Sequence, residues 1–220
     1  AKDDAQQELF NKIVNKTLQT PYTWETELSA LGQEKYEDAE AKKAAFAEKW
    51  TELIASGKLG YMALLRNLRT ILEADVDDNT IKDVAERIGD AQEVLKSKQF
   101  PFRFLSAYRE LKTVCNGKVP IIMDSLEDAV QASAQNIKGF RKETRVLIAC
   151  DVSGSMYTPI SPKSSVKNYD IGLVLAMLLR NRCENVVTGI FGDIWKAVAM
   201  PLRGILSNVE QMYKREGEVG

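Results

Sequence analysis

The amino-acid sequence predicts a helical region followed by the beginning of an α/β domain. Apolar residues recur at three- and four-residue steps through most of the chain, which is the spacing of one face of a helix. Short apolar runs at 145–150 and 185–192 are instead typical of strands buried on both faces of a parallel sheet. We therefore predict two domains, a helical one over 1–143 and an α/β one over 144–220.

Cap and stop signals divide the helical region into separate helices. Asp77 and Asp78 are typical N-terminal caps, and Gly57 and Gly89 are typical of helix C-terminal ends. Pro101 suits a first helical turn, because its missing N–H has no partner there in any case. Successive helices with short joints are typical of stacked repeats, although the sequence contains no strict period. Helices or their apolar stripes are expected at 9–18, 44–54, 61–72, 81–88, 91–96, 101–114 and 121–138.

The second region has the order strand, loop, helix, strand, which is a βαβ unit. Its helix is expected at 171–182, and the stretch 201–220 holds at most one further amphipathic helix. The unit is the first part of a doubly wound, Rossmann-like sheet. Two strands do not complete such a sheet, so we expect an exposed sheet edge.

The composition excludes several classes of enzyme. The chain of 220 residues contains no histidine, which removes serine–histidine and cysteine–histidine catalysis and every zinc site that needs histidine. Ser153 and Ser155 therefore have no histidine base to activate them. We expect a protein without catalytic activity, and any bound metal must be held by oxygen or sulfur.

Charge and cysteine content limit the partners and the compartment. The formal net charge is −1, so nucleic-acid binding would require a local basic patch. Cys115, Cys150 and Cys183 are too few and too scattered for a disulfide framework, which favours a reducing, cytoplasmic setting. No apolar run reaches the length of about 18 residues that a membrane helix needs, so we expect no membrane partner.

A candidate metal site follows the first predicted strand. Asp151, Ser153 and Ser155 alternate along an extended turn, and ligands of open α/β sheets bind beyond the carboxyl ends of the strands. One carboxylate and two hydroxyls are hard oxygen donors that suit Mg²⁺ or Mn²⁺. The alternative is a polar turn whose side chains cap one another or the next helix.

Two motifs resemble those of one family. The turn with Asp151, Ser153 and Ser155 is similar to the metal-ion-dependent adhesion site of the von Willebrand factor A fold. Segments 57–69 and 101–108 resemble the TROVE module, which in Ro-like proteins is a ring of HEAT-like helical repeats followed by a von Willebrand A domain. The resemblance implies the end of such a ring and the first half of the A domain. The loops with a threonine and an aspartate that complete the family's metal site are missing, so the site is incomplete here.

The same resemblance implies RNA binding. Ro-like proteins bind small non-coding RNA such as Y RNA, together with single-stranded RNA ends, which implies a scaffold in RNA quality control or processing and an exoribonuclease as a possible partner. The sequence permits this function, because 96–118 carries six basic residues against one acidic residue, a local net charge of +5. The candidate RNA contacts are Arg66, Arg69, Lys96, Lys98, Arg103, Arg109 and Lys112.

Alternatives remain for these basic residues and for the function. The basic stretch is also compatible with a solvated helix face that has a phenylalanine core behind it. Arg66 and Arg69 either line the hole of the ring or pair with acidic neighbours such as Glu73, one turn after Arg69. The alternative function is a protein-interaction module that depends on a divalent metal at Asp151.

Overall fold

The computed structural model describes residues 2–19, 21–135, 137–162, 164–201 and 203–220. Helices dominate these residues, and a three-stranded sheet follows the eighth helix. No helix among the described residues is both long and apolar enough to cross a membrane. The helices are α1 Lys2–Val14, α2 Trp24–Gln33, α3 Ala39–Ala55, α4 Tyr61–Ala74, α5 Asp78–Gly89, α6 Ala91–Ser97, α7 Pro101–Leu111, α8 Val119–Ser133, α9 Asn168–Asn181 and α10 Ile205–Tyr213. The strands are β1 Val146–Asp151, β2 Val186–Phe191 and β3 Trp195–Ala197, and short 3-10 turns lie at Gly154–Tyr157 and Glu216–Glu218.

The local signals for α3, α4 and α5 are confirmed. The carboxylate of Asp77 accepts hydrogen bonds from the backbone N–H groups of Asn79 and Thr80, so it caps α5 as predicted. Gly57 has a φ of 66°, the left-handed conformation that glycine tolerates at a helix end. The apolar stripes of α3, α4 and α5 are buried in one continuous core.

The predicted C-terminal ends of α7 and α8 differ from the structure. The helix predicted for 101–114 ends at Leu111, and the helix predicted for 121–138 covers Val119–Ser133. The first difference has a tertiary cause, because Asn116 donates a side-chain hydrogen bond to the carbonyl of Leu72 at 2.9 Å and holds the connecting turn against α4. At the end of α8, the Ser133 hydroxyl donates to the Val130 carbonyl at 2.6 Å, in the last turn of the helix.

Helix α1 forms at the first predicted stripe, but its apolar side chains stay exposed. Leu9, Phe10, Ile13 and Val14 are between 50% and 61% exposed, whereas the stripe of α4 is buried. The helix also ends at Val14, before the end of the predicted stripe. Helical spacing therefore predicted the conformation of this segment but not whether it packs.

The predicted βαβ unit is present, with one strand that the sequence did not indicate. β1 and β2 pair in parallel from Val146 opposite Val186 to Asp151 opposite Phe191, and α9 connects them. The short β3 pairs antiparallel with β2, which gives the order β1-β2-β3. β1 is therefore an edge strand of the described sheet, as the sequence predicted.

The prediction that both faces of these strands are buried is wrong for this chain. Ile148, Cys150 and Ile190 are buried, but Leu147 is 65% exposed and Val187 54% exposed. Successive side chains of a strand point to opposite faces, so one face of the sheet is covered, and the other is open except where Trp195 lies over Gly189. α9 packs against β1 on the covered side.

A carboxylate of the helical region caps a helix of the α/β region. Gly204 precedes α10 with a φ of 82° and has no side chain to cap it. Glu127 of α8 supplies the missing acceptor, because its carboxylate accepts the backbone N–H groups of Leu206 at 3.1 Å and Ser207 at 2.8 Å. The two regions are thus joined by specific hydrogen bonds as well as by apolar packing.

Candidate nucleic-acid interface

Two of the predicted RNA-contacting residues lie in one groove between α4 and α7. Arg66 and Arg103 line this groove of about 270 Å³, which we call the arginine groove. The apolar stripe of α4 faces the core, so Arg66 lies on the exposed side of that helix. On α7, Phe104 faces the core and its neighbour Arg103 is exposed. Among the described residues neither arginine forms an ion pair, so both charges are available to an anion. The other residues of the lining are Met62, Leu65, Gln99, Ser106, Ala107 and Glu110.

Two aromatic residues, Phe100 and Phe102, lie in the chain between Gln99 and Arg103, which both line the arginine groove. The rings of Phe100 and Phe102 are stacked, with centroids 5.6 Å apart and planes inclined by only 9°. The guanidinium carbon of Arg103 lies 5.6 Å from the ring centroid of Phe102. Phe100 is 67% exposed, whereas Phe104 is fully buried. The expectation of a phenylalanine core therefore holds for Phe104 and fails for Phe100.

Two further predicted cations lie immediately before this aromatic pair in the chain. Lys96 and Lys98 are exposed at the end of α6, and Lys98 has a left-handed backbone with a φ of 53°. Neither lysine forms an ion pair within the part of the chain that the structure describes. Their charges are therefore not neutralised by neighbouring carboxylates.

Arg69 takes the alternative that the sequence offered. Its guanidinium lies 3.6 Å from the Glu73 carboxylate, one turn further along α4. Both side chains are about half exposed, and such a pair contributes only about 0.3–0.5 kcal/mol. Arg69 is thus loosely paired, and it is absent from the lining of the arginine groove.

Arg109 does not fit the prediction of an RNA contact. Its two terminal nitrogens donate to the two carboxylate oxygens of Asp170 at 2.7 Å each, and its Nε donates to Glu210 at 2.7 Å. Asp170 is fully buried, and the side chain of Arg109 is only 16% exposed. Burial alone would lower the pKa of Arg109, but the hydrogen bonds to Asp170 and Glu210 raise it above its ordinary value. This guanidinium joins α7 to α9 and α10.

Lys112 belongs to the same ion-pair network. Its ammonium group lies 2.7 Å from the second carboxylate oxygen of Glu210. Burial by itself would raise the pKa of Glu210, but Lys112 and Arg109 hold it below its ordinary value. The sequence could not have named these partners, because Asp170 and Glu210 lie 61 and 101 residues beyond Arg109.

Helical spacing does contain a signal for the missed groove residues. Gln99 and Ser106 were not predicted, yet Arg103, Ser106 and Glu110 follow one another at steps of three and four on α7. Such residues share one helix face. Arg109 lies six residues after Arg103 and so faces another direction, which separates the arginine of the groove from the arginine of the network.

The three predicted metal ligands lie together on the loop after β1. The backbone N–H of Ser153 donates to the Asp151 carboxylate at 2.9 Å, and the hydroxyl oxygens of Ser153 and Ser155 are 3.2 Å apart. Hydrogen bonds from Ser153 hold the pKa of Asp151 below its ordinary value. Among the described residues no three Asp, Glu, Cys or His side chains are grouped as metal ligands, so the serine hydroxyls are needed for a metal here.

A cluster of one lysine and three tyrosines fixes this loop to the helices behind it. The Lys167 ammonium lies 3.0 Å from the ring centroid of Tyr157, which belongs to the same loop. It is also 5.7 Å from the rings of Tyr169 on α9 and Tyr213 on α10. These cation–π contacts hold the end of the loop against both helices.

The fold and the groove define a mostly helical protein with an exposed cationic and aromatic surface, followed by a small α/β unit. The family model described as the TROVE domain matches residues 15–146, more than half of the chain. The chain belongs to the TROVE domain family, which confirms the resemblance seen in segments 57–69 and 101–108.

Three known proteins are similar to parts of this chain. Telomerase protein component 1 of Rattus norvegicus is 40% identical over 94 residues, and that of Mus musculus is 40% identical over 91 residues. These matches cover 43% and 41% of this chain but only 3% of each relative's length. The crystal structure of the RO (RSR) protein of Deinococcus radiodurans superimposes with a TM-score of 0.47 at 20% identity, over 82% of this chain and 45% of that protein.

Proposed function

We propose that this protein binds RNA without catalysing a reaction. Its ligands are small non-coding RNA of the Y-RNA type and single-stranded RNA ends. The observation that carries the proposal is the arginine groove, which both Arg66 and Arg103 line and in which neither forms an ion pair among the described residues. Membership of the TROVE family, in which the resemblance implied RNA binding, supports the same function.

The charges around the groove are suited to a polyanion. Arg66 and Arg103 present planar guanidinium groups that match the oxygens of a phosphate, and Lys96 and Lys98 add positive charge close to Arg103 in the chain. Each phosphate contact releases condensed counterions, so binding weakens as the salt concentration rises. The net charge of the whole chain does not oppose this, because Debye screening limits interactions to about 8 Å at physiological salt.

The first prediction concerns the loss of RNA affinity when the charges of Arg66 and Arg103 are removed. We expect Arg66→Gln with Arg103→Gln to weaken RNA binding at least about tenfold, and to reduce the salt slope by about 1 for each lost phosphate contact. Fluorescence anisotropy of a labelled RNA with a hairpin and a single-stranded tail, titrated at several salt concentrations, measures both quantities. The matched control, Lys35→Gln with Lys142→Gln, removes the same charge from exposed positions outside the groove. Equal losses in both double variants, or no RNA binding by the parent protein at low salt, would contradict the proposal.

As a scaffold, the protein holds RNA for other proteins to process. In this proposal one partner is an exoribonuclease, and the two proteins act in the cytoplasm. The lack of histidine supports a non-catalytic role, because the usual base near neutral pH is missing from the entire sequence. Cys150 offers no alternative nucleophile, since burial raises the pKa of its thiol to about 11.

A second candidate function is a protein interaction that depends on Mg²⁺ or Mn²⁺ at Asp151, Ser153 and Ser155. The separation of 3.2 Å between the two serine oxygens supports it, because neighbouring ligands of an octahedral ion at 2.0–2.1 Å lie about 3 Å apart. Asp151 supplies the negative charge, and a carboxylate of a partner protein supplies a further ligand. In this proposal residues 144–220 are the first half of a von Willebrand A domain, which the parallel β1-β2 pair and the position of the loop support.

The metal proposal predicts measurable binding of the ion itself. Isothermal titration with MnCl₂ and MgCl₂ is expected to show weak binding, because the loop offers only three protein ligands. Asp151→Ala is expected to abolish the signal, while the control Asp193→Ala, on the exposed loop after β2, leaves it unchanged. An identical titration curve for Asp151→Ala and the parent protein would contradict this site.

A further inference from the structure

We infer that the arginine groove binds an unpaired nucleotide, whose base stacks on Phe100 while its phosphate contacts Arg66 and Arg103. The inference rests on the proposed RNA binding and specifies which form of RNA the site accepts. Cationic residues alone bind single strands and duplexes alike, whereas an exposed aromatic ring interacts with a base only when the base is free.

The exposure of Phe100 is the first observation behind this inference. Phe100 is 67% exposed, whereas Phe104, four residues later, is completely buried. Phe104 therefore provides the apolar contact of this segment with the core. The ring of Phe100 therefore contributes little to the core. It stacks on Phe102 with planes inclined by 9°, which leaves the rest of its surface open to a ligand.

The backbone around the two rings is fixed before any ligand binds. Pro101 occupies the first turn of α7, and its ring locks φ between the two phenylalanines. Phe102 also contacts the Arg103 guanidinium at 5.6 Å. We call the stacked rings of Phe100 and Phe102 the aromatic platform. Because this platform is already ordered, it loses little conformational entropy on binding, and most of the stacking energy contributes to the affinity.

The arginine groove supplies the groups that would bind the phosphate, the ribose and the base edge of a nucleotide. Arg66 and Arg103 provide two cations for a phosphate, and Gln99 and Ser106 provide neutral hydrogen-bonding groups for a ribose or a base edge. An apolar protein segment would use the phenylalanine rings but would leave both arginines without partners. A paired RNA helix would use the arginines but keeps its bases stacked inside. Of these three ligands, the unpaired nucleotide is the one that uses both sets of groups.

The test compares single-stranded and duplex RNA in the full chain. We expect Phe100→Leu to weaken binding of a single-stranded 10-mer by about 5- to 150-fold, the effect of losing one base–aromatic stack. Binding of a blunt-ended duplex of 10 base pairs, made from two annealed strands, should change less than about twofold, since its bases are paired and not free to stack. Phe100→Trp is expected to keep the affinity for the single strand and to add a tryptophan emission that the bound RNA quenches. Phe100→Leu should melt at the temperature of the parent protein, because the ring is exposed.

The outcomes separate this inference from the proposed function. If Phe100→Leu binds the 10-mer as the parent does, or loses both RNAs equally, or if Phe100→Trp shows no quenching, the stacking inference is wrong. RNA binding that still depends on Arg66 and Arg103 would leave the proposed function standing in that case. If the parent protein binds neither RNA at low salt, the proposed function itself fails.

Discussion

Replacing Arg109 with methionine is expected to lower the free energy of unfolding by about 3–5 kcal/mol, the cost of removing one partner of a buried ion pair. The loss is large because Asp170 is fully buried and receives both terminal nitrogens of Arg109. Without the guanidinium, the Asp170 carboxylate keeps a hydrogen bond from the Lys167 backbone N–H, but the remaining cation of the network, Lys112, contacts Glu210 instead. Urea denaturation followed by circular dichroism measures the change, and the melting temperature should fall by about 6–20 °C.

An exposed ion pair gives the matched control for Arg109. Lys142 and Glu184 lie 3.0 Å apart, but their side chains are 77% and 64% exposed. Lys142→Met should therefore change the stability by less than about 1 kcal/mol. Adding Asp170→Asn to Arg109→Met removes the stranded charge and should recover part of the loss. If Arg109→Met alone is as stable as the parent protein, the network does not hold the two regions together.

Truncating Phe104 to alanine is expected to cost about 3–5 kcal/mol of stability. Its ring is fully buried where α7 packs against α4 and α8, so the substitution leaves a cavity with no solvent to fill it. The loss comes from the removed apolar surface and from the contacts that the neighbouring side chains no longer make. The same urea titration measures it.

Phe100→Ala is the internal control for this experiment, four residues earlier in the chain. Its ring is 67% exposed, so the change in stability should stay within about 0.5 kcal/mol. The pair of variants separates a phenylalanine that holds the fold from one that is available to a ligand. Equal losses for the two would show that the assignment of their roles is wrong.

Most of the helical fold could be predicted because its signals are local. Asp77 caps α5 through N–H groups two and three residues away, and Gly57 adopts the conformation that a helix end requires. The short β3 escaped prediction because three residues carry too little pattern to mark a strand. Burial of the sheet was predicted for both faces, whereas the described residues cover only one.

The candidate RNA site could be predicted only in part, because local sequence signals do not show which arginines form ion pairs in the folded chain. Charge counting over 96–118 selected Arg103 and Arg109 alike, and the family resemblance added Arg66. Helical spacing could have separated Arg103 from Arg109, because six residues turn a side chain to another face. Nothing local, however, could have shown that Arg109 pairs with Asp170 while Arg103 forms no ion pair in the part of the chain that the structure describes.

The sequence by itself determined most of the helices but not α2, and it determined the βαβ order, the turn with Asp151 and the concentration of positive charge near α7. Only the tertiary structure decided which cations are neutralised, which phenylalanine is exposed and which face of the sheet is open. The physical reason is the separation along the chain between the residues that interact. Helix spacing and capping act over a few residues, whereas the charge of Arg109 is neutralised by partners 61 and 101 residues away that only folding brings close.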